Sequence, residues 1–220
     1  MKELNLINKL NNMKNIKSNK KIEETNLDDS KEQRLLDTAF NLFTQKGIKD
    51  TSIQEIVDNA SVAKGTFYLY FKDKYELQDV LIAKESHKLF KDALTALRKK
   101  NITDLSDQVI FIIDSVLNKL NKNPTLLKFI SKNLSWGIYS KTIRKVYEDS
   151  GEDEDGIYKL FLKGVKENNI PLKNPDVTLF MIIELVSSTC FNSILYGEPL
   201  PIDEYKPILY DTIKKLINNN

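Results

Sequence analysis

Apolar residues recur at helical spacing through most of this chain. Leu35, Leu36, Ala39, Phe40, Leu42 and Phe43 form one such run, opened by Ser30 and Gln33 in a capping-box pattern and closed by Gly47. A second, short helix is expected from a cap at Thr51 and Gln54 to about Asn59. A third covers roughly Lys64 to Tyr70, and a long fourth runs from the Asp73 and Glu76 cap to about Lys99. Later helices are expected to start near Thr103, at Asn123-Pro124, near Glu152, at Asn174-Pro175 and near Ile202. Asn before Pro is a strong start, because Asn caps and Pro gives up only an N–H that has no helical partner. No run alternates as a half-buried strand does, so the expected fold class is all-α.

Composition narrows the function classes. With 41% hydrophobic and 29% charged residues, the chain reads as soluble and globular. No uninterrupted apolar stretch approaches the ~18 residues of a membrane span, since Glu184 breaks the run from Val177 to Val186. The first thirty positions lack the apolar core of an export signal, which gives cytoplasmic residence as the expectation and no membrane partner. A single cysteine, Cys190, and a single histidine, His87, leave no multi-cysteine or two-histidine metal motif, so no metal and no cofactor are expected. Residues 1–29 carry lysines early and acids late. They read as a mobile extension, as a basic arm that touches DNA phosphate, or as an over-long start with Met13 as the first residue. The acidic run Glu152 to Asp155 reads as a solvated helix start.

The chemistry concentrates in residues 47–76, GIKDTSIQEIVDNASVAKGTFYLYFKDKYE. This is a helix, a turn of about four residues, a second helix and a tight link to a capped third. Ile53, Ile56 and Val57 form an inner stripe, and Val62, Phe67 and Phe71 close a small core beneath them. The helix from Lys64 then turns Lys64, Thr66, Tyr68 and Tyr70 elsewhere. Such a face suits a DNA major groove: hydroxyls bond phosphates and base edges, and Gly65 lets the backbone approach phosphate.

From Lys31 to Leu77 the chain resembles the N-terminal DNA-binding domain of the TetR/AcrR family of bacterial transcriptional regulators, most specifically in TSIQEIVDNASVAKGTFYLYFKDKYEL. The resemblance implies three parts: the extension 1–29, a three-helix helix-turn-helix DNA-binding domain at 30–76, and a larger helical effector-binding and dimerisation domain at 77–220. It implies double-stranded DNA as partner. Thr51 and Ser52 would contact the DNA backbone, Lys64, Gly65, Thr66, Tyr68 and Tyr70 would sit on the recognition helix, and Lys74 would meet a phosphate. Two positions depart from the family pattern. Ala63 stands where a capping serine is common, and Leu69 where an aromatic residue is common.

The larger half carries no nameable motif. The helix after Asn174 has apolar residues in every direction, and such a helix must be covered on all sides. The chain supplies one cover; a second copy, through the last two helices, supplies the other. A two-fold homodimer in turn predicts a palindromic target. A small hydrophobic or amphipathic effector is expected in a cavity among the middle helices. The candidate wall is His87, Phe90, Phe111, Phe129, Trp136, Tyr139, Met181, Glu184, Ser188 and Phe191. Together these give a ligand-released repressor. The rivals are a relative that has lost DNA binding and acts through protein partners, opposed by Lys64, Gly65, Thr66 and Tyr68, and a helical enzyme, opposed by the lack of a carboxylate dyad.

Overall fold

The computed structural model describes residues 30–130 and 156–218. Among them there are nine helices and no strand. They are α1 (30–46), α2 (Ile53–Ala60), α3 (Lys64–Tyr70), α4 (Lys74–Leu97), α5 (Leu105–Lys122), α6 (Pro124–Ile130), α7 (Ile157–Glu167), α8 (Pro175–Tyr196) and α9 (Ile202–Asn218). The N-terminal extension and the helix start expected near Glu152 lie outside the described residues. The chain divides into two compact units after Gln78, inside α4.

The first unit is built on the small core that the apolar spacing implies. Leu35, Leu36, Ala39 and Phe43 of α1 are buried, as are Ile56, Val57 and Ala60 of α2, Phe67 of α3, and Phe71 and Leu77 beyond it. Gly47 takes a positive φ of 86° and its N–H returns to Phe43 O at 3.0 Å, which stops α1. The caps differ from expectation in two places. Ser30 is already helical and Gln33 bonds Asp37 instead of reaching back. At α2 the cap is Ser52, whose Oγ accepts from Glu55 N at 3.1 Å. Thr51 points inward and donates to Gly47 O at 2.8 Å, so its hydroxyl is already used. The α4 start is as expected: Asp73 accepts from Tyr75 N and Glu76 N, both at 2.9 Å.

The second unit is centred on α8, which contacts α5, α6, α7 and α9. By length and composition α8 could cross a membrane, but one of its faces is spent on this packing: Leu179, Ile182, Ile183, Val186 and Cys190 are buried. Burial pushes the Cys190 thiol up to about 11, so it is protonated and unreactive at neutral pH. Where α7 nears α5, a Cβ on Gly164 would stand 2.5 Å from Leu105 Cδ1, so only glycine permits that approach without a shift of Leu105.

A polar cluster ties α5 to α9. Asp114 accepts from Tyr210 Oη at 2.6 Å and pairs with Lys206 at 2.9 Å, while Lys206 also reaches Asn118 at 2.6 Å. Burial raises the Asp114 pKa, but the hydrogen bonds from Tyr210 and Lys206 outweigh it and hold the carboxyl below its usual range. The unfolded chain therefore binds the extra proton first as pH falls. The stabilisation is full above the unfolded value of about 3.9 and is lost as pH drops through the lower folded value. Asp114→Ala should lower unfolding free energy by about 1–2 kcal/mol at pH 7, less than a fully buried charged pair because the carboxylate is partly solvated. In urea titrations that deficit should shrink as pH falls from about 3.9 through the lower folded value.

Candidate nucleic-acid interface and effector cavity

The helix expected to carry recognition is α3, of seven residues, KGTFYLY. It follows α2 across a turn of three residues, one fewer than expected because α2 extends to Ala60. Ser61 holds the turn in the left-handed region at φ 54°, and Val62 N closes on Val57 O at 3.0 Å. Phe67 is fully buried and stacks against Phe71 at 5.7 Å between centroids. With Phe67 facing inward, helical spacing sends the neighbouring residues outward. Tyr68 is 53% exposed and Leu69 82% exposed, while Lys64 and Gly65 are also exposed and Thr66 and Tyr70 are half-buried. The Tyr68 ring lies edge-on to Phe67 at 5.4 Å between centroids.

Two features at this helix serve no packing among the described residues. Leu69 is a large apolar side chain held almost wholly in water, and its branched methyls suit a thymine methyl in the major groove. Gly65 lies in the first turn of α3, where glycine costs stability, yet a Cβ there would meet nothing within 4 Å. A close approach by another molecule is a reason for both. Ala63, as expected, gives α3 no side-chain cap, and no acid occupies its first turn, so its N–H end stays open to an anion.

The other expected contacts are placed differently. Thr51 is buried and bonded, so it shapes the turn and presents no side chain outward. Ser52 is exposed, but its hydroxyl caps α2. The Lys74 ammonium donates to Thr51 O at 2.8 Å and Lys49 O at 3.1 Å, which ties the α4 start to the α1–α2 turn and leaves one N–H for a phosphate. Beside it Tyr75, a residue not singled out from sequence, is 54% exposed. Its ring lies 5.7 Å from Lys74 Nζ.

In the second unit an apolar cavity of about 20 Å³ lies between α4, α5, α7 and α8, lined by Phe90, Val109, Ile113, Ile157, Leu179 and Ile183 among others. That is room for roughly one water-sized molecule. Of the expected wall residues Phe90 lines this cavity, and His87, Phe111, Phe129, Glu184 and Phe191 are half-buried. Met181 and Ser188 are exposed on the outer face of α8, because they lie on the side opposite Leu179, Ile182 and Val186. Trp136 and Tyr139 lie outside the described residues.

Residues 35–80 match the family model described as bacterial regulatory proteins, tetR family. The chain is 47% identical over 47 residues to the uncharacterized HTH-type transcriptional regulator YuxN of Bacillus subtilis, a match that spans 21% of this chain and 16% of that protein. It is 23% identical over 176 residues to the probable HTH-type transcriptional regulator YttP of Bacillus subtilis, covering 77% of this chain and 84% of that one. Among solved structures, the transcriptional regulator FadR from Bacillus subtilis in complex with stearoyl-CoA shares the fold with a TM-score of 0.56 at 14% identity, over 86% of this chain and 98% of that one.

Gly65→Ala separates folding from recognition. It should raise stability by about 0.5–1 kcal/mol, since helix propensity improves and nothing is in the way. The same change should weaken DNA binding. Thermal melts and a DNA titration on one preparation check both signs.

Proposed function

We propose that this chain, a TetR-family transcriptional regulator by its N-terminal domain and its fold, is a homodimeric repressor that binds a palindromic operator and is released by a small amphipathic effector. The observation that carries the reading is the outward row on α3: an exposed Tyr68, an 82% exposed Leu69 and a glycine with open space around it, within the matched domain. Phosphate contacts from Lys64, the open N–H end of α3 and the remaining N–H of Lys74 would set its register on the duplex, and Tyr68, Leu69 and Tyr70 would read base edges. Thr66 and Ser52 would stand at the phosphate margin.

Support for the dimer comes from α8 and α9. Val177, Phe180, Met181 and Tyr196 on α8 and Ile208 on α9 are all more than two-fifths exposed. On α8 Met181 lies four residues after Val177, and Ser188 and Tyr196 follow at steps of seven and eight, so the row keeps to one side of the helix. A second copy that packs this face against its own would bury it by an isologous contact and place two recognition helices one DNA turn or a multiple apart. Support for an effector comes from the FadR complex with stearoyl-CoA, whose fold this chain shares. The effector would favour a state with the wrong spacing between recognition helices; a coupling of about 1–3 kcal/mol suffices, and DNA must weaken effector binding by the same factor. α4, which continues from the first unit into the second, is the element through which the two sites would meet. Residence with the genome, in the cytoplasm, follows from this role.

Fluorescence anisotropy with duplex DNA from upstream of the chain's own gene, against scrambled DNA at two salt concentrations, tests the reading. Specific binding at two chains per site is expected, and Tyr68→Ala should cost about 1–3 kcal/mol of it. Equal affinity for both duplexes and for the variant, with intact folding, would sink the DNA assignment. For the dimer, Phe180→Asp with Met181→Asp should halve the mass seen by sedimentation and reduce operator affinity. A mass that stays at two chains would move the interface elsewhere.

A further inference from the structure

Few side chains on α3 can read bases by paired hydrogen bonds. Guanine is read in that way by Arg or Lys, adenine by Asn or Gln, and the cytosine amine is taken by Asp or Glu. Of these types α3, KGTFYLY, carries only Lys64, at its first position. The amides of the neighbouring α2 already hold bonds within that helix: Gln54 donates to Asp58 and Asn59 to Glu55 O, both at 2.8 Å. The hydroxyls of Tyr68 and Tyr70 add single hydrogen bonds, which more than one base edge can satisfy.

The most open side of α3 carries no polar side chain. Leu69 lies four residues after Gly65, so the two share one side of the helix. Leu69 is 82% exposed, and a Cβ at Gly65 would meet nothing within 4 Å. A lone exposed leucine on a protein surface is ordinary. This one is more exposed than Tyr68 beside it, at 53%, and lies within residues 35–80, the segment that matches the tetR-family regulatory proteins. A helix that enters the major groove leads with its open side.

A leucine brought to the base edges there has two kinds of neighbour. Against the C5-methyl of thymine, the apolar group of the major groove, it packs carbon on carbon. Against guanine O6 and N7, adenine N6 or cytosine N4, it shuts water away from a donor or acceptor and offers no bond in return. The loss at the wrong base sharpens the choice beyond what the gain at the right one gives.

We infer that Leu69 is a methyl reader, and that the duplex this chain selects carries a thymine at one fixed place in each half-site, recognised by its C5-methyl. The inference rests on the proposed DNA-binding role of α3 and names the feature of the target that this helix selects.

The test begins with selection of bound duplexes from a random-sequence library by the full chain. The enriched duplex is then resynthesised with uracil in place of one thymine at a time, in both half-sites, and titrated by anisotropy. At one position, removal of the methyl should weaken binding about fourfold per half-site, roughly what burial of one carbon is worth. Leu69→Ala should bind the thymine and uracil duplexes equally, while Tyr68→Ala, weaker on both, should keep the difference. With cytosine placed at that position, methylation at C5 should tighten the unaltered chain by a similar factor and leave Leu69→Ala unmoved. Leu69 is mostly in water, so Leu69→Ala should melt at the temperature of the unaltered chain. Indifference of the unaltered chain to every uracil, or a methyl effect that survives Leu69→Ala at each sensitive position, would overturn the inference and leave the DNA-binding role standing. A library that yields no enriched duplex would overturn both.

Discussion

Everything the first unit can do depends on the burial of Phe67. A helix of seven residues does not form by itself in water, since nucleation costs more than so few hydrogen bonds return. α3 also lacks a side-chain cap and carries a glycine and three aromatic residues, all poor for an isolated helix. It exists because Phe67 and Phe71 close the core under Ile56 and Val57. Burying a phenylalanine contributes about 2–3 kcal/mol, enough to outweigh those local penalties. The same constraint sets what α3 presents outward. Once Phe67 faces inward, Tyr68 and Leu69 must face outward, so the core packing and the outward row proposed to read DNA are two consequences of one rotation about the helix axis.

The second unit follows a different constraint. α8 is apolar on both faces, and among the described residues α5, α6, α7 and α9 bury the face of Leu179, Ile182, Ile183 and Val186. The Asp114, Lys206 and Tyr210 cluster locks α9 to α5 by directional bonds, and this sets which side of the α8–α9 pair remains outside. Apolar packing alone allows helices to slide or rotate, whereas a half-buried phenol and a lysine sharing one carboxylate permit one register. The exposed row of Val177, Phe180 and Met181 is thus a fixed surface rather than loosely packed core.

The helices were legible in the sequence where a local signal is strong. Lys64, Pro124, Pro175 and Ile202 begin helices as expected, because Asn-Pro starts and abrupt changes of apolar spacing depend on neighbours along the chain. The α2 cap slipped by one residue, since Thr51 and Ser52 carry the same hydroxyl and only the tertiary core decides which turns inward. Lys74 read as an outward cation, but its reach to Thr51 O, far along the chain, has no sequence signal. The effector wall was the least legible part. Periodicity shows that Met181 shares a helix with Ile182, yet not which of them meets α5 and which meets solvent.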